Sequence, residues 1–126
     1  MANEPPWWTR VVSDPRWCAA EASTWQPSVD VYRTPAGWLV KFDLAGVRPT
    51  DIEISRQGCL LRVAGQRRDL TARRALASYS LEISYNRFER AVRLPADIER
   101  SAMRTEFEQG MLLIWLESLT GPAPRP

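Results

Sequence analysis

Y-N-R-F-E-R-A-V-R-L-P, from Tyr85 to Pro95, decides how the rest of the chain is read. Phe88, Val92 and Leu94 share one parity, and a side-chain period of two is the mark of a strand with one face turned to a core. The same parity places Arg90 on that apolar face. Pro95, which has no N–H to give to a ladder, ends the run. A guanidinium among apolar side chains needs a partner, because an unpaired buried charge is costly. Arg90 is therefore the residue whose surroundings say most about the protein.

The alternation continues on both sides. V-D-V-Y-R begins at Val29, and W-L-V-K-F-D-L follows Gly37, with Trp38, Val40 and Phe42 facing one way and Lys41 and Asp43 the other. A-G-V-R-P breaks the pattern with Gly46 and Pro49. D-I-E-I-S-R-Q then alternates through Ile52 and Ile54, and C-L-L-R-V-A-G beyond Gly58 reads as its hairpin partner, with Leu61 and Val63 on one face. A second hairpin has Met103, Thr105 and Phe107 on one strand, a Gln109-Gly110 turn, and Met111 to Leu116 returning. The return strand is apolar at nearly every position, which predicts burial on both faces. About seven short strands with regular turns predict a β-sandwich.

Three regions stand apart. Residues 1–28 hold Trp7, Trp8, Trp17 and Trp25 among four prolines, too few apolar residues for a core and enough aromatic surface to need something to pack on. Asp14-Pro15 predicts an N-cap and a short helix to about Ala22. Gln66 to Leu81 is ambiguous: Arg67, Arg68, Arg73 and Arg74 read as a basic loop, and Leu70, Arg73, Arg74 and Ala77 fit a short helix. A loop of that length in a sandwich is usually functional. Residues 119–126, Pro-rich, form a tail, which leaves 29–118 as the single domain that 126 residues predict.

The composition argues against catalysis. The absence of histidine removes Ser-His and Cys-His nucleophiles and histidine metal ligands. Cys18 and Cys59 lack metal-ligand spacing, no glycine sits in a phosphate-loop setting, and neither a cofactor nor a metal is expected. Asp51 and Glu53, two apart, are expected on the outer, solvated face of one strand opposite Ile52 and Ile54. A net charge of +2 is too small to predict a nucleic-acid partner, despite the arginine cluster. The longest unbroken apolar run, Met111 to Leu116, is far too short to span a bilayer, and the N-terminus lacks a signal-peptide pattern, so the reading is a cytoplasmic protein that is not an enzyme.

Four pieces in order resemble the small heat-shock protein family, with its α-crystallin domain. F-D-L-A-G-V at Phe42 to Val47 is similar to that family's L-P-G-V turn, and L-L-R-V-A-G-Q-R at Leu60 to Arg67 to its L-x-I-x-G-x-R strand end. L-E-I-S-Y-N-R-F-E-R-A-V-R-L-P resembles E-R-x-Y-G-x-F-x-R-x-F-x-L-P, and F-E-Q-G-M-L-L-I-W-L resembles the closing x-N-G-V-L-x-I-x-L. The resemblance implies an all-β, immunoglobulin-like sandwich with a long strand-exchange loop, a homodimer at least, and ATP-independent holding of unfolding client proteins against aggregation. It places Glu82, Tyr85, Arg90, Arg73, Arg74 and Leu76 at the dimer interface, with Glu82 as the mate of Arg90. It makes Trp7, Trp8, Trp17 and Trp25 the surface for clients or partners. The same domain used as a fixed subunit or assembly factor, docking through its N-terminal arm, is the alternative. The chain departs from the pattern in four places. Ala45 stands for the turn proline, Asn86 for a glycine that favours the left-handed region, and Glu117-Ser118 for the closing P-K, while no I-x-I/V motif follows Leu116.

Overall fold

The computed structural model describes residues 25–118. The predicted helix between Pro15 and Ala22, Cys18, the residues Trp7, Trp8 and Trp17, and the tail 119–126 lie outside them. Seven strands make two antiparallel sheets: β1 (Val29–Thr34), β2 (Gly37–Asp43), β3 (Ile52–Gln57), β4 (Leu60–Gln66), β5 (Arg87–Arg93), β6 (Ala102–Glu108) and β7 (Met111–Glu117). One sheet runs β1-β2-β7-β6 and the other β3-β4-β5. This is the sandwich that the alternation predicts.

The inward columns follow the parity of the sequence. Val40, Phe42, Ile52, Ile54, Leu61, Val63, Phe88, Leu112, Ile114 and Leu116 are all buried in one core. Register ties them together: Val40 lies opposite Ile114, Phe42 opposite Leu112, and Ile54 opposite Val63. Loop chemistry sets the register. Gln109 and Gly110 both have positive φ, +51° and +79°, as a two-residue hairpin turn matched to strand twist demands. That turn leans on the loop after β2, where Leu44 N donates to Gly110 O at 2.8 Å.

Gly65 is the tightest point of the small sheet. It pairs with Ile52 on one side and Phe88 on the other. A Cβ there would overlap the Asp51 carbonyl oxygen and stand 2.8 Å from Phe88 Cζ. Only glycine lets β4 pass between them.

Arginines shut the two flanks of the sandwich. Arg56 Nη1 donates to the carbonyls of Ile98 and Ser101 at 3.2 and 2.8 Å, closing the side where the β5–β6 connection passes. Burial draws its pKa below the ordinary arginine value, partly offset by Glu99. Arg90, opposite Val63 on the inward parity, donates from Nη1 to Pro27 O at 3.0 Å on the other flank.

Several expectations need correction. Asp51 is in a 3-10 turn, Pro49–Asp51, and does not share a strand with Glu53. Pro49 fixes a φ suited to a turn, and the Asp51 carboxylate accepts from Arg48 and Arg68 at 3.1 and 3.3 Å. β7 is buried on one face only: Met111, Leu113 and Trp115 are half-buried. On that outer face the Arg104 guanidinium lies 4.7 Å over the Trp115 ring, and Trp115 Nε1 donates to Glu106 at 2.7 Å, so charged neighbours supply the cover that a second layer was expected to give. Asn86 does not enter the left-handed region, since Gln109 is the one non-glycine residue with positive φ among those described. Asn86 leads straight into β5, and its carbonyl accepts from Arg67 N.

A candidate dimerisation arm and its anchor

Between β4 and β5 the chain leaves the sandwich. Residues 67–86 form no strand, and the loop contains one 3-10 turn, Ala72–Arg74. Arg73 and Arg74 lie in that turn, whereas Leu70 and Ala77 fall outside it. The Asp69 carboxylate nucleates it by accepting from Thr71 N and Oγ1, both at 3.0 Å. Leu76 and Tyr79 are fully exposed, Leu81 is 75% exposed and Ile83 61% exposed. Glu82 is exposed as well. So many large apolar side chains exposed on one loop make it the candidate interaction surface.

The base of the arm is tied down firmly. Arg67 N donates to Asn86 O at 3.1 Å, closing the neck. The Arg67 guanidinium donates from Nε to Ser84 O at 2.8 Å and from Nη1 to Ala45 O at 3.1 Å. Its Cζ lies 4.2 Å from the Trp25 ring centroid and 5.8 Å from that of Tyr85. Arg68 is held by Asp51, as above. Two of the four arginines of the basic cluster, Arg67 and Arg68, are thus engaged in fastening the arm.

Trp25 also differs from its place in the sequence reading, where it was grouped with the aromatic residues of the N-terminal segment 1–28. It docks on the free edge of β5 as a one-residue parallel bridge to Phe88. Trp25 N donates to Arg87 O at 3.1 Å, and Glu89 N donates to Trp25 O at 3.2 Å. Its ring meets Phe88 at 5.4 Å between centroids. Trp25 is half-buried against the sandwich core, so much of its surface is already used by its own domain.

The expected interface residues fall into two groups. Tyr85 and Arg90 sit at the base of the arm and on β5; Arg73, Arg74, Leu76 and Glu82 are out on the arm. In the single chain Arg90 is satisfied by Pro27 O rather than by Glu82. Among the described residues, a sheet edge in the same molecule has no neighbouring strand. β1 is the outer strand of the larger sheet, and its Val31 and Tyr32 are 43% and 45% exposed. Sequence reasoning missed Arg67 and Trp25 as a pair. The signal for Arg67 lay in the strand end that stops on it, L-L-R-V-A-G-Q-R, whereas no periodicity points to Trp25.

Comparison with known proteins completes the picture. The model of the Hsp20/alpha crystallin family matches residues 30–125. The chain belongs to that family. Among curated relatives, it is 30% identical over 88 residues to "Small heat shock protein C2" of Rickettsia felis, covering 70% of this chain and 57% of that protein. It is 29% identical over 93 residues to a "22.7 kDa class IV heat shock protein" of Pisum sativum, covering 73% and 47%. The Hsp20 chain thus spans about half the length of the curated relatives it matches. Solved structures agree on the fold. Heat shock protein 16.0 of Schizosaccharomyces pombe superposes with a TM-score of 0.69 at 22% identity, covering 84% of this chain and 76% of that one. A small heat-shock protein of Xylella fastidiosa gives 0.63 at 25%, covering 82% and 94%. Among the described residues, no helix is long and apolar enough to cross a membrane.

Proposed function

We propose that this chain is an ATP-independent holdase, working in the cytoplasm as a strand-exchanged dimer or larger homo-oligomer without catalysing a reaction. The observation that carries the proposal is the arm, whose large apolar side chains are held in solvent on backbone with no ladder of its own. Its natural seat is the β1 edge of a second copy, where main-chain bonds would extend the four-stranded sheet and cover an exposed edge. Each of Leu76, Tyr79 and Leu81 would contribute about 1.5–3 kcal/mol on full burial there. Holding then means covering the apolar surface and strand edges of an unfolding client before clients meet each other. Residues 1–28, with Trp7, Trp8 and Trp17, are the proposed adhesive segment.

The activity test is direct. A heat-labile client warmed with an equimolar amount of the chain, without nucleotide, is expected to scatter far less light than the client alone. Unchanged scattering would rule out general holding. A stoichiometric partner surviving high salt in native purification would favour the alternative, a fixed subunit or assembly factor docking through its N-terminal arm, residues 1–28.

Arg90 gives a second check. Arg90→Gly removes the tether to Pro27 and, in the dimer, the proposed partner of Glu82. The dimer dissociation constant is expected to rise about tenfold, equal to roughly 1.4 kcal/mol, with self-aggregation on warming. A dissociation constant unchanged by sedimentation analysis would remove Arg90 from the interface.

A further inference from the structure

We infer that Arg67 is a positioning residue. It locks the base of the arm to the Trp25 strap, so that the arm's pairing with a second copy depends on Trp25 remaining docked on β5; the second half of this statement rests on the strand-exchange reading above. Three segments distant in sequence meet at this one side chain. Ser84 and Tyr85 end the arm, Ala45 belongs to the loop after β2, and Trp25 comes from ahead of β1. A guanidinium suits the place because it is planar, stacks on an aromatic face and still points donors outward in its own plane. Lysine offers a compact charge with no stacking face, so it cannot hold the two carbonyls and the indole at once.

The strap is small enough to move. Among the described residues, two backbone hydrogen bonds, the Arg90 tether to Pro27 O and the Phe88 ring hold it to β5, and its ladder pairing stops at Pro27, which has no N–H. The Trp25 Nε1–H is buried with no acceptor among the described residues, which weakens the docked state. A segment paired over so short a ladder can open while the sandwich stays folded. Once it opens, Arg67 loses its 4.2 Å stacking plane. The arm's base then gains freedom, and ordering it against a partner becomes more costly. By linkage, pairing of the arm steadies the strap by the same factor.

The test separates the lock from the exchange. In the full chain kept monomeric by Leu76→Asp and Tyr79→Asp, amide exchange is followed by NMR at Glu89, whose N–H is held by Trp25, at Arg67 and at the core residue Val63. Arg67→Lys is expected to speed Glu89 exchange about tenfold or more, and Trp25→Ala to do the same at Arg67, with Val63 unchanged. Trp25→Phe should restore most of the protection, and the double variant should add nothing to either single one. Unchanged Glu89 and Arg67 amides, equal acceleration at Val63, or multiplicative effects in the double variant would each overturn the lock. Without the two aspartates, Trp25→Ala and Arg67→Lys should each raise the dimer dissociation constant about tenfold, again without adding. Responsive amides with an unmoved constant would overturn the coupling. Should the unmodified chain prove monomeric at every concentration, the exchange reading fails, and the amides alone decide the lock.

Discussion

Gly65→Ala is expected to destabilise this protein severely. The new Cβ would meet the Asp51 carbonyl and the ring of Phe88, which are backbone and a fully buried aromatic side chain, so neither can yield cheaply. Overpacking of this kind costs ~3 kcal/mol, and in a domain of this size that lowers Tm by ~12 °C or more. Gly58→Ala is the matched control. Its Cβ meets nothing within 4 Å, and the strain arises only from a φ of +60°, which costs ~1–2 kcal/mol. Thermal unfolding of both variants at one fixed protein concentration checks the pair. Equal losses would mean that β4 does not pass between Asp51 and Phe88 as described.

Replacing Asp69–Ile83 by a four-residue Asn-Gly turn is expected to abolish association while leaving the sandwich folded. The neck closes between Arg67 and Asn86, so a short turn is enough to bridge it. The exposure of Leu76 and Tyr79 shows that the arm adds nothing to its own core. The lost burial of these anchors, at ~1.5–3 kcal/mol each, predicts a dimer dissociation constant raised at least ~100-fold. Sedimentation velocity measures the association, and the circular dichroism of the strands reports whether the fold survives. Retention of the dimer within a factor of ~3 would place the interface elsewhere.

How far the sequence spoke depended on whether a feature was local. Trp38, Val40 and Phe42 announced β2 because their alternation is written within one strand, and Gln109-Gly110 announced its hairpin because few residue pairs accept two positive φ values. Arg90 kept the apolar parity that its neighbours implied, yet its hydrogen-bond partner is a carbonyl 63 positions away, which no spacing rule supplies. Trp25 escaped for the same reason, since a parallel bridge of one residue leaves no periodic trace. Asp51 was placed on a strand because the alternation of β3 was extended one residue back into the turn that Pro49 begins. The outer face of β7 was read as buried because Leu113 and Trp115 look like core, when Arg104 and Glu106 provide much of their cover.

The arginine-closed flanks bear on how such a protein behaves as its surroundings warm. The hydration of a charged group becomes less favourable with rising temperature, so holding Arg56 and Arg90 against carbonyls carries a smaller desolvation penalty in the heat than in the cold. Apolar attraction, by contrast, strengthens as the chain warms from low temperature. The two trends act on different parts of this molecule. The closed flanks are expected to cost less while the arm, with Leu76 and Tyr79 fully exposed, grows more adhesive. The same static distribution of guanidinium and hydrocarbon is therefore expected to lower the cost of the closed flanks and to raise the adhesion of the arm together as temperature rises, with no moving part.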